Sequence, residues 1–260
     1  MRQGFWVILR TELFSLFISP ATYISTFYFL ALLGVGFRFF IESFPATNWI
    51  LPPLSSLVLG LLFGAPALIP FLTMRTIAEE RRLGTLETLM SAPINASAII
   101  IGKWCACYVF FLVICCGAYA YPLIILLVFP EQALSLGFNN VEHWVGGFVF
   151  LMSFGASFSA IGIYASSVTK NQMVAGMLSF SLIALYLSIM VFSYGEPIVN
   201  NNIDSLREIF YTVGGSLNKG LDKINFFAVG IIHFPTILHQ IIVVLFFLSL
   251  GTLQIEKIRH

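Results

Sequence analysis

The stretch Thr73 to Lys103, TMRTIAEERRLGTLETLMSAPINASAIIIGK, decides how the chain is read. It gathers Arg75, Glu79, Glu80, Arg81, Arg82, Glu87 and Lys103, while the sequence on either side runs apolar for bilayer-length stretches. Charge at this density is too costly for hydrocarbon. The segment has to lie in water or in the groove of a partner, and which of these holds decides the function.

The surroundings are those of an integral membrane protein. Of 260 residues, 58% are hydrophobic and 10% charged, with 27 Phe and a mean hydropathy of +0.93, far from the profile of a soluble domain. A net charge of +1 carries no signal for nucleic acid. No GxxxxGK[ST], HExxH or GxSxG motif occurs, so any ATP in use is bound by another chain. The four cysteines, at 105, 107, 115 and 116, share one apolar segment, which excludes a disulfide framework across loops. On a helix Cys105 and Cys107 point about 200° apart and Cys116 lies roughly 16 Å further along, so one metal cannot collect them. They read as small apolar residues.

Upstream of the charged stretch, residues 51–72 form a span carrying Gly60-x-x-x-Gly64, Pro66 and Pro70. The glycine pair permits close helix contact, either within the chain or with a second copy. The prolines remove backbone donors one turn apart and predict a bend just before the polar segment. Residues 21–41 supply an earlier span of about twenty residues, enough for a core of about 30 Å, with Arg38 placed to snorkel at its far end. Residues 42–50 are a short loop. Residues 1–19 place Gly4, Arg10, Thr11, Glu12, Ser15 and Ser19 within one arc of about 200° and most large apolar residues on the other side. Arg10 and Glu12 split the apolar run and no clear small-x-small cleavage site precedes Pro20, so a retained interfacial elbow helix is favoured over a signal peptide.

Downstream, residues 98–129 are a third span, with Lys103 near its start, and 130–141 a loop. Residues 144–166 are a fourth span rich in small residues (Gly146, Gly147, Gly155, Ala156, Ser159, Gly162), which belong at helix interfaces. The tight turn Ser167 to Asn171 makes the fifth span, 172–194, its antiparallel neighbour. Residues 196–223 form a second polar region in which Leu206, Ile209, Phe210 and Val213 keep helical spacing. Residues 224–253 are the sixth span, and Glu256 to His260 a polar tail. The expectation is an all-α membrane protein of one transmembrane domain over 1–260: an elbow, six spans, and a helical cytoplasmic element at 73–97 between spans two and three.

With the charged stretch inside, the inner set of bases is Arg2, Arg10, Arg75, Arg81, Arg82, Lys103, Lys170, Lys257 and Arg259, against Arg38, Arg207, Lys219 and Lys223 outside. The positive-inside rule then puts both termini in the cytoplasm.

Within the stretch, Arg75 to Met90 reads as helical, with Gly84-Thr85 dividing it, Thr85 as an N-cap for a second turn from Leu86-Glu87, and Pro93 as its end. Short helices on the ends of two spans suit a mechanical contact. The competing reading is a solvated, salt-bridged loop. Docking is favoured because the other inner loop, about five residues long, offers no comparable surface.

These residues resemble a known family. Met74-Arg75 through Ala78-Glu79-Glu80, then Gly84-Thr85-x-Glu87 and Ala92-Pro93, looks like the coupling region of ABC-2 type permeases, the membrane subunits of ABC exporters. The run Ala165 to Ala175, ASSVTKNQMVA, is similar to the ASSLTxNQxxA turn these permeases carry between spans four and five. Gly220-Leu221-Asp222 is similar, more loosely, to their approach to the last helix; Asn218-Lys219 departs from the aromatic- or Arg-containing forms expected there. The likeness runs almost end to end and is nearest to permeases of the gliding-motility and nitrous-oxide-reductase-maturation kind.

The resemblance implies no catalytic residue and no cofactor held by this chain. It implies a separate ATP-binding cassette subunit that binds ATP and Mg, docked on Arg75, Glu79, Glu80, Arg81, Arg82, Gly84, Thr85 and Glu87, with Thr169, Lys170, Asn171 and Gln172 forming a secondary cytoplasmic turn. It also implies a second permease subunit, homo- or heterodimeric, with the substrate pathway along their interface. Gly60, Gly64, Ser179, Ser181 and Ser188 are the candidates for that pathway or interface, and the expected setting is the bacterial inner membrane.

Three rivals remain. An ion-coupled secondary transporter places ionisable groups near the bilayer midplane, and the middles of these spans hold no Asp, Glu, Lys or Arg. An intramembrane enzyme or haem protein would need partners for His233 and His239, which sit about 120° apart on a helix without a paired carboxylate or cysteine; packing or interfacial roles suit them better. A non-transporting scaffold is compatible with the sequence.

Overall fold

The computed structural model describes residues 2–43, 53–86, 95–192 and 233–259. The described residues are helices joined by turns: α1 (Arg2–Ile18), α2 (Pro20–Ser43), α3 (Pro53–Thr73), α4 (Ala78–Leu83), α5 (Ala96–Val128), α6 (Pro130–Ser135), α7 (Val141–Val168), α8 (Gln172–Phe192) and α9 (Phe234–Arg259). Six of them, α2, α3, α5, α7, α8 and α9, are long and apolar enough to cross a membrane. They fall where the apolar runs predict, because a chain in hydrocarbon has to satisfy its backbone within each segment.

The centre of the bundle is the pair α3 and α7, which are far more buried than the other spans. Leu57, Leu61, Leu68 and Leu72 line the inner face of α3. The small residues of α7 explain how closely its neighbours approach. A Cβ on Gly147 would meet Tyr119 Oη and Val58 Cγ2 at 2.8 Å, one on Gly155 would collide with the Phe111 ring, and one on Gly162 would come within 2.5 Å of Thr73 Oγ1. These glycines recur at helical period, so one face of α7 receives side chains from α3 and α5 along most of its length. Aromatic side chains fasten α5 to its neighbours through backbone carbonyls: Tyr121 Oη donates to Leu30 O (2.8 Å), Trp104 Nε1 to Ala156 O (3.0 Å) and Tyr108 Oη to Met152 O (3.1 Å). Buried aromatic donors need such partners.

Helix α1 packs on the first third of α5. Ile8 abuts Gly102, and the Phe17 ring meets that of Phe110 edge-on at 5.0 Å. Pro20 cannot donate to the preceding turn, so the helix breaks at Ser19 and restarts as α2. At the opposite terminus, Ile255 is buried and Gly251 faces Ile100 at the start of α5. Both ends of the described chain therefore lie at the same end of the bundle as α4.

Three expectations need correction. The first helix of the charged stretch does not begin at Arg75: residues 74–77 are a turn, and α4 covers Ala78–Leu83 before the break at Gly84. The Thr73 hydroxyl donates to Ile69 O (3.0 Å) and that of Thr76 to Thr73 O (2.7 Å), a local competition with helix continuation to which threonine is prone. Residues 130–141 are not all loop, since Pro130 opens the short helix α6 at a position that suits proline, and Ala133 and Phe138 are buried. The last helix runs on through Glu256 and Lys257 to Arg259, so no separate tail begins at 256. Helix α3 runs through Pro66 and Pro70 to Thr73. Residues 44–52, the second half of the charged stretch (87–94) and the polar region 196–223, with the Gly220-Leu221-Asp222 motif, lie outside the described residues.

Candidate functional site

Lys103 lies eight residues into α5, about 10 Å along its axis, and is only 1% exposed. An ammonium there survives only if it is paired and hydrogen-bonded on every donor. All three donors are used: Lys103 Nζ donates to Glu12 Oε1 on α1, to Thr76 O in the turn (2.7 Å) and to Glu80 Oε1 on α4 (2.8 Å). One cation thus joins the elbow helix, the turn after α3 and α4 to the start of α5. Two carboxylates share it, and the second oxygen of Glu80, Oε2, is buried without a hydrogen-bond partner among the described residues.

A second fastening comes from α7. Ser166 Oγ accepts the backbone N–H groups of Ile77 (3.2 Å) and Ala78 (3.1 Å), which open α4 and would otherwise be orphaned. Arg81 Nη1 donates to Ser167 O. The two sequence motifs that stood far apart in the chain are therefore in contact: the charged stretch is capped and held by the ASS portion of the turn at 165–175.

Helix α4 ends at Gly84, whose φ of 73° is left-handed, the usual exit for glycine. Thr85 Oγ1 donates back to Glu80 O at 3.4 Å, and the chain is helical again at Thr85 and Leu86, after the glycine break. On the outer side of α4, Arg75, Arg82, Gly84 and Thr85 are exposed, Leu83 is 62% exposed, and Glu79 is half-buried, with Arg82 Nη2 at 3.8 Å. Glu80 and Arg81 are turned inward. Glu87 lies outside the described residues.

The turn at 168–171 stands beside this element. Lys170 and Asn171 are exposed, and Thr169 and Gln172 half-buried. Asn171 Oδ1 accepts Met173 N–H (3.0 Å), capping α8, and Thr169 Oγ1 donates to Asn171 O (3.0 Å). These bonds explain why so short a turn holds its shape.

The other candidates lie elsewhere and apart. Gly60 and Gly64 face α2 of the same chain: a Cβ at Gly60 would touch Leu33 at 3.4 Å, and one at Gly64 would collide with Phe29. Ser179 is buried, while Ser181 and Ser188 are exposed on α8 and return their hydroxyls to Met177 O and Ala184 O.

A polar cluster that the sequence reading missed joins three spans. Gln240, 2% exposed on α9, accepts at Oε1 from Ser157 Oγ (2.6 Å) on α7 and from Tyr186 Oη (2.9 Å) on α8. The His239 ring stacks on Tyr186 with centroids 6.2 Å apart, and His233 Nδ1 pairs with Thr236 Oγ1 at 2.9 Å. Among the described residues no three His, Cys, Asp or Glu side chains are grouped to hold a metal. Cys107 and Cys115 are buried, Cys105 is half-buried and Cys116 exposed.

A family model described as ABC-2 family transporter protein matches residues 6–208, well over half of the chain. That range covers α1 through α8 and so the whole of the site around Lys103. No curated protein matches the chain.

Proposed function

The chain belongs to the ABC-2 transporter family, and from that premise we propose that it is the permease half of an exporter, driven by a separate ATP-binding cassette subunit docked on α4. Family membership makes it a transport subunit and not an enzyme; ATP hydrolysis takes place in a partner chain. The observation that carries the docking reading is the contrast between the two sides of α4. Its inner side is fastened to α5 and α7, and through Lys103 to Glu12 of α1, by Glu80, Arg81 and the capped N–H groups of Ile77 and Ala78, while Arg75, Glu79, Arg82, Leu83, Gly84 and Thr85 are left for a partner. A short helix rooted in three other helices transmits a push from outside without folding away.

In this reading Glu87 extends the docking surface, the turn Thr169 to Gln172 flanks it, and the ATP and Mg are held by the partner. Closure of the nucleotide-binding pair moves α4, and the α1–α5–α7 body moves with it. Two permease subunits form the pathway, with the exposed Ser181 and Ser188 face of α8 as the side offered to it. Gly60 and Gly64, seated against α2, contribute through the position of that helix. The excess of Lys and Arg at the α4 end supports a cytoplasmic location for that end and both termini, and the setting we propose is a bacterial inner membrane. The subtype we propose, from the resemblance of its motifs, is that of the gliding-motility and nitrous-oxide-reductase-maturation permeases.

The test is co-purification. Tagged chain expressed with its genomic neighbours is expected to bring down a P-loop ATPase, and Glu79→Lys and Glu87→Lys to weaken recovery while membrane insertion is kept. Wild-type recovery from the double reversal, or a complex without any ATPase, counts against the docking reading.

A further inference from the structure

On the flank of the bundle α2 and α3 leave an apolar groove. Its first part, about 510 Å³, is walled by Ile24, Tyr28, Leu32, Ala67 and Phe71 and closed at one end by Arg75. It continues past Phe29, Leu32 and Ala67 into a second apolar hollow of about 460 Å³ that reaches Phe37 and Ser56. Measured along α3, Arg75 to Ala67 is about 12 Å and Arg75 to Gly60 about 22 Å, against about 15 Å for one leaflet of the hydrocarbon core. The side chains at the rim, Ile24, Tyr28, Leu32 and Phe71, are each more than half exposed.

At Arg75 and Phe71 the groove adjoins a cavity of opposite character. This one, about 260 Å³, lies between α1, the start of α2 and the turn into α4, and its polar wall holds Glu12, Ser15, Thr22, Arg75, Glu79 and Glu80. Among the described residues Arg75 makes no ion pair and its guanidinium no hydrogen bond. Among the described residues Glu12 and one oxygen of Glu80 are committed to Lys103, the other oxygen of Glu80 is buried, and Glu79 is held at 3.8 Å by Arg82. Among the described residues the cavity thus offers the cation Arg75 without an ion pair and the loosely held carboxylate of Glu79, at the head of a groove that opens on hydrocarbon.

We propose that this paired groove and cavity bind a phospholipid whose headgroup ends in a primary ammonium, with the phosphate on Arg75, the ammonium toward Glu79, and one acyl chain along α2 and α3. A soluble ligand has no use for an apolar groove of leaflet length. A choline headgroup has no hydrogen-bond donor and a glycerol headgroup has hydroxyl donors but no positive charge, so only an ethanolamine headgroup gives the Glu79 carboxylate a charge-assisted hydrogen bond. Arg75 and Glu79 also stand on the side of α4 proposed for docking, so the lipid is measured on the permease without its ATPase. The wedge between elbow and α3 is thereby assigned as a lipid seat.

The test uses the full chain, purified gently and stripped of lipid, in native mass spectrometry against phosphatidylethanolamine, phosphatidylcholine and phosphatidylglycerol of identical acyl chains. Retention of the ethanolamine lipid is expected to exceed the choline lipid by about tenfold, the worth of one charge-assisted hydrogen bond. Both R75Q and E79Q, at surface-accessible positions, are expected to bring it down to the choline level. Equal retention of all three lipids overturns the proposal. So does preference for the glycerol lipid with E79Q unchanged, which would describe a phosphate site alone. Efficient cross-linking between copies from Ile24→Cys, with lipid retention unaltered by R75Q, overturns it too, because a second chain would then fill the groove. Because the ATPase is absent from this measurement, failure of the docking reading leaves these outcomes unchanged, and failure of the lipid reading leaves co-purification of the ATPase unchanged.

Discussion

Ser166 Oγ lies 3.1 Å from Ala78 N and 3.2 Å from Ile77 N, accepting both across a sequence separation of 88 and 89 residues. The helix that projects from the bundle thus owes its first turn to a side chain on another helix. Without the hydroxyl both N–H groups are buried and unsatisfied, at a cost of about 1–3 kcal/mol each.

The first prediction concerns that bond. Ser166→Ala is expected to lower the thermal stability of the purified chain and to raise hydrogen exchange at the amides of Ile77 and Ala78 before anywhere else. Unchanged protection at those two amides would remove Ser166 from its capping role.

The second concerns the cation. Lys103→Met leaves Glu12 and Glu80 facing each other without a counter-charge, and breaking a buried pair from one side typically costs about 3–5 kcal/mol. The triple variant Lys103→Met, Glu12→Gln, Glu80→Gln is expected to recover most of that loss, since a neutral hydrogen-bonded replacement carries no desolvated charge. Denaturation in a fixed detergent compares the three proteins. A triple variant no better than the single one would mean that the hub stabilises by shape rather than by charge.

The glycine face of α7 supplies the third. Gly155→Ala puts a methyl into the Phe111 ring, and overpacking of this sort costs about 1–3 kcal/mol. Phe111→Leu, which opens space there, is expected to relieve Gly155→Ala but to do nothing for Gly162→Ala, whose obstacle is Thr73. The comparison of the two double variants by melting temperature is the measurement; equal rescue of both would contradict site-by-site packing.

The fourth concerns the membrane-embedded glutamine. Gln240→Leu deprives Ser157 and Tyr186 of a common acceptor. Interhelical bonds in membranes average about 0.6 kcal/mol and reach about 1.7. A loss of about 1–2 kcal/mol is expected, read from unfolding in detergent, with Ser157→Ala adding little on the Gln240→Leu background.

The contrast between spans and hub explains what a sequence discloses. Spans are local: residues 98–128 declare themselves by being apolar, and the small residues of α7 announce a tight interface by their size alone. The partners of Lys103 are 91 and 23 residues away, and no periodicity connects them. What was available is a demand rather than an answer, since a lysine eight residues inside an apolar helix requires carboxylates, and those expected on its side of the membrane include Glu12 and Glu79 to Glu87. The extent of α4 was misread for a related reason. Helical spacing favours continuation through Arg75, and only the threonine hydroxyls and Ser166 of a distant helix break it. Tyr186, Gln240 and Ser157 escaped because each alone is unremarkable in a membrane helix.

The order of the residues around Lys103 has a consequence for how the chain is made. Synthesis runs from the N-terminus, and both acids that neutralise Lys103, Glu12 and Glu80, precede it. When the third span leaves the ribosome its counter-charges are already built, one in α1 and one beside the helix just completed. The lysine never has to wait in the membrane for a partner still to be translated. A chain with the cation at position 12 and the acid at 103 would keep the same pair and lose that advantage.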